Sequence, residues 1–501
     1  MTTSGWARLD TALRSVTLCS AACFAVLYLV LAAVRMGYPF ELEWMEGGAL
    51  GQVSWILSGH KLYGPPSLEF TPWVYPPFYF YVSAAVSSML GGGLLPLRLV
   101  SFAASLGSLA IIFAIVRRET GSRRAGWLSA GLFVATYQLG GTWFDLARID
   151  SLFLVLSLAA LYVLRFTESS RAALLAGVLL SLSFFSKQTA LVVATPVALY
   201  LVAVDGRRGL VFIATVTACV VGGTLLLDHW QDGWFTYYVF TVPGRLSSRL
   251  VKERVVYFWT RDIIMPLAVA CGLAVFSFVA VEGGWRRRGL FYVAMAIGMF
   301  AGAWIPRIQS GGYQNTVIPA YAAVSVLFGL GWHRVGCLTV KSDQVLRAQF
   351  GVVVNLLVVM QFAALVYNPL ATVPKAGDRD AGTRIVDRLR LVDGRVLVFA
   401  HPYLASMAGK PPTAHAVGLL DILGWGDERD KAALRSEIRT AVASRKFAAI
   451  VLDDRSDEVF RGAMGDYDDA GLLLDDPKAF WPVTGFRVRP TRLYLLRPPV
   501  R

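Results

Sequence analysis

From residue 16 to residue 367 the chain alternates apolar runs of roughly 15–20 residues, a length that crosses a ~30 Å hydrocarbon layer when helical, with polar breaks, most of them short. The first run, Val16 to Val34, follows Arg8 and Arg14. Its length and the lack of a small-x-small cleavage site predict an uncleaved signal anchor with the amino terminus inside. Ten further runs fall at about 96–116, 125–140, 151–164, 172–186, 189–204, 210–227, 263–281, 290–304, 317–332 and 349–367. The pattern predicts a polytopic α-helical membrane protein with about 11 transmembrane helices.

The polar breaks predict the orientation, because Lys and Arg collect in short cytoplasmic loops. Alternate breaks carry Arg117, Arg118, Arg123 and Arg124, then Arg165 and Arg171, then Arg207 and Arg208, then Arg286 to Arg288, and last Arg334, Lys341 and Arg347. The alternation holds only if Pro76 to Met89, apolar and aromatic, lies in the interface as a lip helix; counting it as a span would turn every later basic loop outward. The region beyond Tyr367 is then extracytoplasmic. It changes pattern, setting short apolar runs such as Arg395-Val-Leu-Val-Phe-Ala and Phe447-Ala-Ala-Ile-Val-Leu against a polar, helix-compatible stretch from Glu428 to Arg445. Residues 368–501 therefore read as a small α/β domain, expected to fold by itself and to serve the acceptor, and residues 1–367 as the membrane domain with a first outer loop at 35–95. No glycine-rich phosphate loop follows either strand.

Composition agrees with a membrane protein: 55% of the 501 residues are hydrophobic and 16% are charged. The net charge of +14 comes mostly from the loops upstream of residue 368, since the tail nearly balances 18 acidic against 21 basic residues. Such an excess fixes orientation in the membrane and points to no nucleic acid. The five cysteines, four of them inside apolar runs, form no metal-ligand or disulfide framework.

Two acidic clusters fall on the outer side at the mouth of the bundle. One is Glu41-Leu-Glu43-Trp-Met-Glu46 in the first outer loop; the other is Trp143-Phe-Asp145-Leu-Ala-Arg148-Ile-Asp150. Glu43 and Glu46 share a face if helical, and Asp150 opens an apolar run. Cations stand on the same side, where topology does not ask for them: Lys187, Arg307, and a stretch from Arg245 to Arg261 interleaved with Trp and Tyr that suits anionic headgroups. A solvated carboxylate or a snorkelling lysine accounts for any one of these alone. Together they suit an anionic, lipid-linked substrate.

In order, Glu43 and Glu46, the Gly59-His60-Lys-Leu-Tyr63 and Tyr75-Pro-Pro stretches, Arg98 with the Arg117 to Arg124 passage, Arg148-Ile-Asp150, Ser186-Lys187 and the soluble tail resemble the GT-C class of membrane glycosyltransferases, which includes protein O-mannosyltransferases and the lipid A aminoarabinose transferase. Residues 1–367 are covered, the tail loosely. The family usually has an Asp-Glu or an aspartate in the first loop, whereas Met45 precedes Glu46 here. The resemblance implies an inverting glycosyltransferase moving a sugar from a polyprenyl-phosphate donor to a lipid, glycan or protein acceptor on the extracytoplasmic face of the cell membrane. It implies Glu46 or Glu43 as catalytic base, with Asp150 sharing in catalysis. Asp145 would position a sugar, Lys187 and Arg307 would hold the phosphate, and Arg148, Tyr75 and His60 would line the substrate site. No cofactor is expected; a divalent metal is conceivable but not favoured, because a monophosphate donor needs none. The alternatives are a lipid-linked polysaccharide polymerase or ligase, and a lipid or sugar transporter or flippase, which should carry charges at mid-membrane and an internal repeat.

Overall fold

A computed structural model of the protein describes residues 3–246, 249–278, 285–338, 344–453, 457–460 and 462–498. Each of the eleven apolar runs has most of its described residues on a helix. In chain order these are α1 (Thr3–Met36), α4 (Leu94–Thr120), α5 (Arg123–Ala135), α6 (Asp150–Phe166), α7 (Ser170–Ser186), α8 (Ala190–Val204), α9 (Gly206–Trp230), and the helices Lys252–Phe276, Trp285–Arg307, Ile318–Leu338 and Gln344–Ala364. Two helices of the first outer loop stand between α1 and α4: α2 (Glu46–Leu57) and α3 (Phe78–Leu90). Seven of the described helices are long and apolar enough to cross a membrane. Four expected spans are shorter, with α5, α6, α7 and α8 at 13, 17, 17 and 15 residues. The end of the 263–281 run, Lys341 and the Arg286 side chain lie outside the described residues.

Local chemistry sets the breaks. Gly121, at φ +72°, closes α4 by donating its N–H to the Arg117 carbonyl at 2.8 Å, a left-handed stop that glycine takes without a Cβ clash. The Ser122 and Ser169 hydroxyls accept from the Ala125 and Ala172 amides and start α5 and α7. Helix Ile318–Leu338 is the axis of the bundle, buried over most of its length and packed against α5, the Met265–Phe276 segment and the Trp285–Arg307 helix. The basic loops meet at one end of the bundle: Arg165 pairs with Glu119 at 2.7 Å, and Arg208 donates to the carbonyls of Leu164 and Thr167. The expected lip segment is α3, which buries Tyr79, Phe80, Ser83, Ala84 and Ser87 and leaves Met89 and Leu90 exposed.

The tail folds around a four-stranded sheet of β1 (Val396–Val398), β2 (Ala449–Leu452), β3 (Tyr467–Leu472) and β4 (Arg492–Leu496), ordered β1-β2-β4-β3. β1 and β2 are parallel and the other pairs antiparallel. The helical stretch read between the two apolar runs is Glu428–Ala443. Composition changes at residue 368, yet the packing crosses that line. Phe399, Leu419 and Leu434 of the tail share one buried cluster with Val53, Trp73 and Tyr79 of the first outer loop, and the Ala414 amide donates to the Leu68 carbonyl at 2.8 Å.

Candidate active site

The two acidic clusters converge at the end of the bundle opposite the basic loops, roofed by the tail. Residues 41–46 form the turn that enters α2, and α6 begins at Asp150, so both carboxylate motifs stand at helix starts whose free N–H groups favour negative charge.

Glu46 is fully engaged. Its carboxylate accepts Arg98 Nε at 2.9 Å and Nη2 at 2.6 Å, the Ala147 amide at 2.8 Å and the Leu42 amide at 2.7 Å, with no exposure. Burial works against its charge, but the Arg98 guanidinium and the two amides outweigh that and hold the carboxyl below its ordinary value. Arg98 also donates to the carbonyls of Arg35, Tyr38 and Phe40, so this pair closes the first outer loop onto α4.

Glu43 is the opposite case. It is 1% exposed, and among the described residues its side chain accepts one hydrogen bond, from the Met45 amide to Oε2 at 3.2 Å. Burial pushes its carboxyl up to about 8, with Arg148 opposing and the neighbouring Glu46 and Glu41 adding to the rise. Arg148, 3% exposed, sits among three rings, its Cζ 5.0 Å from the centre of Trp143, 5.5 Å from Trp73 and 5.7 Å from Tyr75. Its Nε and Nη1, and the indole N–H groups of Trp73 and Trp143, are buried without a hydrogen-bond partner. A buried N–H left unpaired costs about 1–3 kcal/mol; the two on Arg148, inside a cage of three aromatic rings, are charged donors suited to an oxyanion. Gly48 leaves room for this cage, since a Cβ there would stand 2.2 Å from Trp73 Cζ2 and 2.8 Å from the His415 ring.

Asp150 Oδ1 accepts Lys187 Nζ at 2.6 Å and Asn315 Nδ2 at 3.0 Å, while its Oδ2 is buried without a partner. Lys187, at the end of α7, is thus committed to Asp150, the second acidic motif. Asp145 is held by Tyr137, whose hydroxyl donates at 2.8 Å, and by Arg35 Nε at 3.1 Å; Arg35 in turn donates to the Tyr137 hydroxyl. Arg307 forms a bidentate pair with Asp262, at 2.7 and 3.2 Å, and donates to the Gly312 carbonyl. The Tyr75 carbonyl accepts from the Tyr63 hydroxyl at 2.6 Å, and the Tyr75 ring faces Arg148. His60 is exposed and stacks on Trp55 at 4.1 Å.

Of the residues singled out in the sequence, Glu43, Arg148 and Tyr75 meet in one place, and Arg148 and Asp150 keep unpaired polar atoms. Glu46, Asp145 and Arg307 are consumed in ion pairs. The sequence assigned no role to Arg98, Trp73, Trp143 and Asn315, although three of them lie in or beside the quoted motifs. His401 and His415 of the tail carried no local signal at all. Among the described residues no group of three or more His, Cys, Asp or Glu side chains is arranged to hold a metal ion.

The helical bundle, with a first outer loop closed over two acidic motifs and a C-terminal α/β roof, is similar in fold to solved membrane-protein structures. Residues 74–227, which contain Tyr75, Arg98, Asp145, Arg148, Asp150 and Lys187, match a family model described as dolichyl-phosphate-mannose-protein mannosyltransferase. The structure is similar to that of ArnT from Cupriavidus metallidurans bound to undecaprenyl phosphate, with a TM-score of 0.58 and 12% identity over 95% of this chain and 97% of that one. It is also similar to the archaeal oligosaccharyltransferase AglB from Archaeoglobus fulgidus in complex with an inhibitory peptide and a dolichol-phosphate, with a TM-score of 0.51 and 11% identity over 89% of this chain and 70% of that one. No curated protein sequence matches at significance.

Proposed function

We propose that the protein transfers a sugar from a polyprenyl-phosphate donor to an acceptor hydroxyl on the extracytoplasmic face of the cell membrane, with inversion at the anomeric carbon. The observation that carries the reading is Glu43, a buried carboxylate whose side chain accepts one hydrogen bond among the described residues, in the field of Arg148, a buried guanidinium whose Nε and Nη1 have no partner. The two GT-C structures above were solved with undecaprenyl phosphate and dolichol-phosphate, which supports a lipid-phosphate carrier.

In the proposed reaction Glu43 takes the proton of the acceptor hydroxyl. The acceptor oxygen forms its bond to the anomeric carbon as the bond from that carbon to the phosphate oxygen breaks, and the polyprenyl phosphate leaves with the electron pair. A phosphate is already a good leaving group, so one base suffices, in contrast to glycosidases, which flank the bond with two carboxylates. The Arg148 cage takes the phosphate charge, stabilising it as it grows in the transition state. The free Oδ2 of Asp150 accepts a hydroxyl of the donor sugar, and Lys187 and Asn315 hold that carboxylate in place. Glu46 with Arg98, Asp145 with Arg35, and Asp150 with Lys187 are neutral pairs, so Arg148, which is in none of them, is the cation left to face both Glu43 and the phosphate. No metal is required by this scheme.

The test is transfer from undecaprenyl-phosphate sugars by purified protein in nanodiscs. Glu43→Gln keeps the shape and removes proton acceptance, so turnover should fall roughly 10²–10⁴-fold while binding of undecaprenyl phosphate survives. Normal turnover in Glu43→Gln removes Glu43 as the base.

A further inference from the structure

The acidic segment 41–46 is held from above by the tail at four successive points. Glu41 Oε2 is 2.6 Å from His401 Nδ1, with both side chains buried. Its Oε1 accepts the Gly47 amide at 3.0 Å, and its own amide donates to the Tyr403 hydroxyl at 3.3 Å. The Leu42 carbonyl accepts the Val483 and Thr484 amides at 2.9 and 3.3 Å. The Glu43 side chain lies against Gly485, where an added Cβ would stand 2.6 Å from Glu43 Cγ and 2.8 Å from Oε1. The Trp44 carbonyl accepts His415 Nε2 at 3.2 Å while His415 Nδ1 accepts the Val417 amide at 3.1 Å, which fixes His415 as the neutral tautomer with its proton on Nε2.

These clamps fall on four consecutive residues and bracket the carboxylate proposed as the base. We infer that the tail is a working wall of the catalytic centre, in which His401, through Glu41, and Gly485, by direct contact, are positioning residues for Glu43. The inference rests on the proposed role of Glu43. Burial drives His401 down to about 4 and His415 to about 3, so both face the acidic segment uncharged, while burial pushes Glu41 well above the usual carboxylate range. The Glu41 and His401 pair therefore holds Glu43 by geometry, through the segment that both side chains fix. The charged or titratable groups facing Glu43 are Arg148, Glu46 and Glu41. His401 Nε2 is buried with no hydrogen-bond partner.

Three variants in the full-length protein in nanodiscs test this: His401→Ala, which removes the clamp; His401→Gln, which keeps an acceptor toward Glu41; and Gly485→Ala, which drives a methyl group into Glu43. Each is assayed for kcat and KM with undecaprenyl-phosphate sugars, for melting, and for the pH midpoint at which dicyclohexylcarbodiimide, a reagent for protonated carboxyls, ceases to label Glu43. Displacing a catalytic group by about 1 Å costs up to about 10²-fold in rate. His401→Ala and Gly485→Ala should lose at least about tenfold in kcat with donor KM little changed, and His401→Gln should recover most of it. Water admitted beside a loosened Glu43 should lower its labelling midpoint by about one pH unit or more. A lower melting temperature with wild-type kcat and midpoint in the folded variants would mean the tail is only a structural roof, and the inference fails. If His401→Ala does not fold, Gly485→Ala and His401→Gln decide by the same criteria. An active Glu43→Gln would instead overturn the base assignment, and the labelling midpoint alone would then judge the positioning.

Discussion

The sharpest prediction separates Glu46 from Glu43, two carboxylates three residues apart that the sequence could not rank. Glu46→Gln exchanges one carboxylate oxygen for an NH2 group in a site where all four neighbours are donors. Whichever way the amide turns, two of the four donors, Arg98 Nε with the Ala147 amide or Arg98 Nη2 with the Leu42 amide, face a nitrogen. Each buried donor so stranded costs about 1–3 kcal/mol, and a buried pair broken from one side costs about 3–5 kcal/mol, so a loss of about 4 kcal/mol is expected. Arg98→Met should cost more, because the Arg35, Tyr38 and Phe40 carbonyls lose their donor as well. The double variant Glu46→Leu/Arg98→Met removes the stranded charge yet leaves those carbonyls and two amides unpaired, so it should recover only part of the loss. The assay is thermal unfolding in nanodiscs, followed by turnover per folded molecule well below the midpoint. Glu46→Gln should melt much earlier than the wild type but keep turnover within about tenfold when folded, since it touches no reacting atom. An unchanged melt with turnover lost by more than about 10²-fold would refute this and make Glu46 the base.

The remaining predictions concern pH, the cage and topology. A base must be deprotonated to act, so with the Glu43 carboxyl near 8 turnover should rise about tenfold from pH 7 to pH 9; a profile flat across that range would count against Glu43. The same elevation means that Glu43 contributes stability below the ordinary carboxylate range that is lost as pH rises through about 8, so Glu43→Gln should flatten the decline in melting temperature toward alkaline pH. Arg148→Lys keeps the charge but gives up the planar fork that stacks among Trp143, Trp73 and Tyr75; undecaprenyl phosphate binding should weaken by about tenfold, or about 1.4 kcal/mol, and unaltered binding would remove the cage from the donor site. Reporter fusions after Arg124 and after Pro374 should read cytoplasmic and extracytoplasmic respectively; a cytoplasmic signal at Pro374 would place the acidic motifs on the wrong side for the proposed reaction.

The sequence alone determined the helical scaffold. Apolar runs specify helices in a membrane because the backbone must satisfy its own hydrogen bonds there, and most of the described residues of each run are helical. It also located both acidic motifs, because carboxylates at the edges of apolar runs stand out locally. What it could not determine was which charges are spent. Arg98 reaches Glu46 from 52 residues away, Lys187 reaches Asp150 from 37, and Asp262 reaches Arg307 from 45. A buried carboxylate is inert or reactive according to partners that meet it only in the folded chain, so Glu46, Asp145 and Arg307 look as available in the sequence as Glu43 does. The tail is the extreme case: His401 lies 360 residues from Glu41, and His415 371 from Trp44. Its composition marks it as a separate α/β unit, because local periodicity reports secondary structure. Only the tertiary structure brings its buried face down on the first outer loop, where the desolvation that raises Glu43 is created by residues from both ends of the chain.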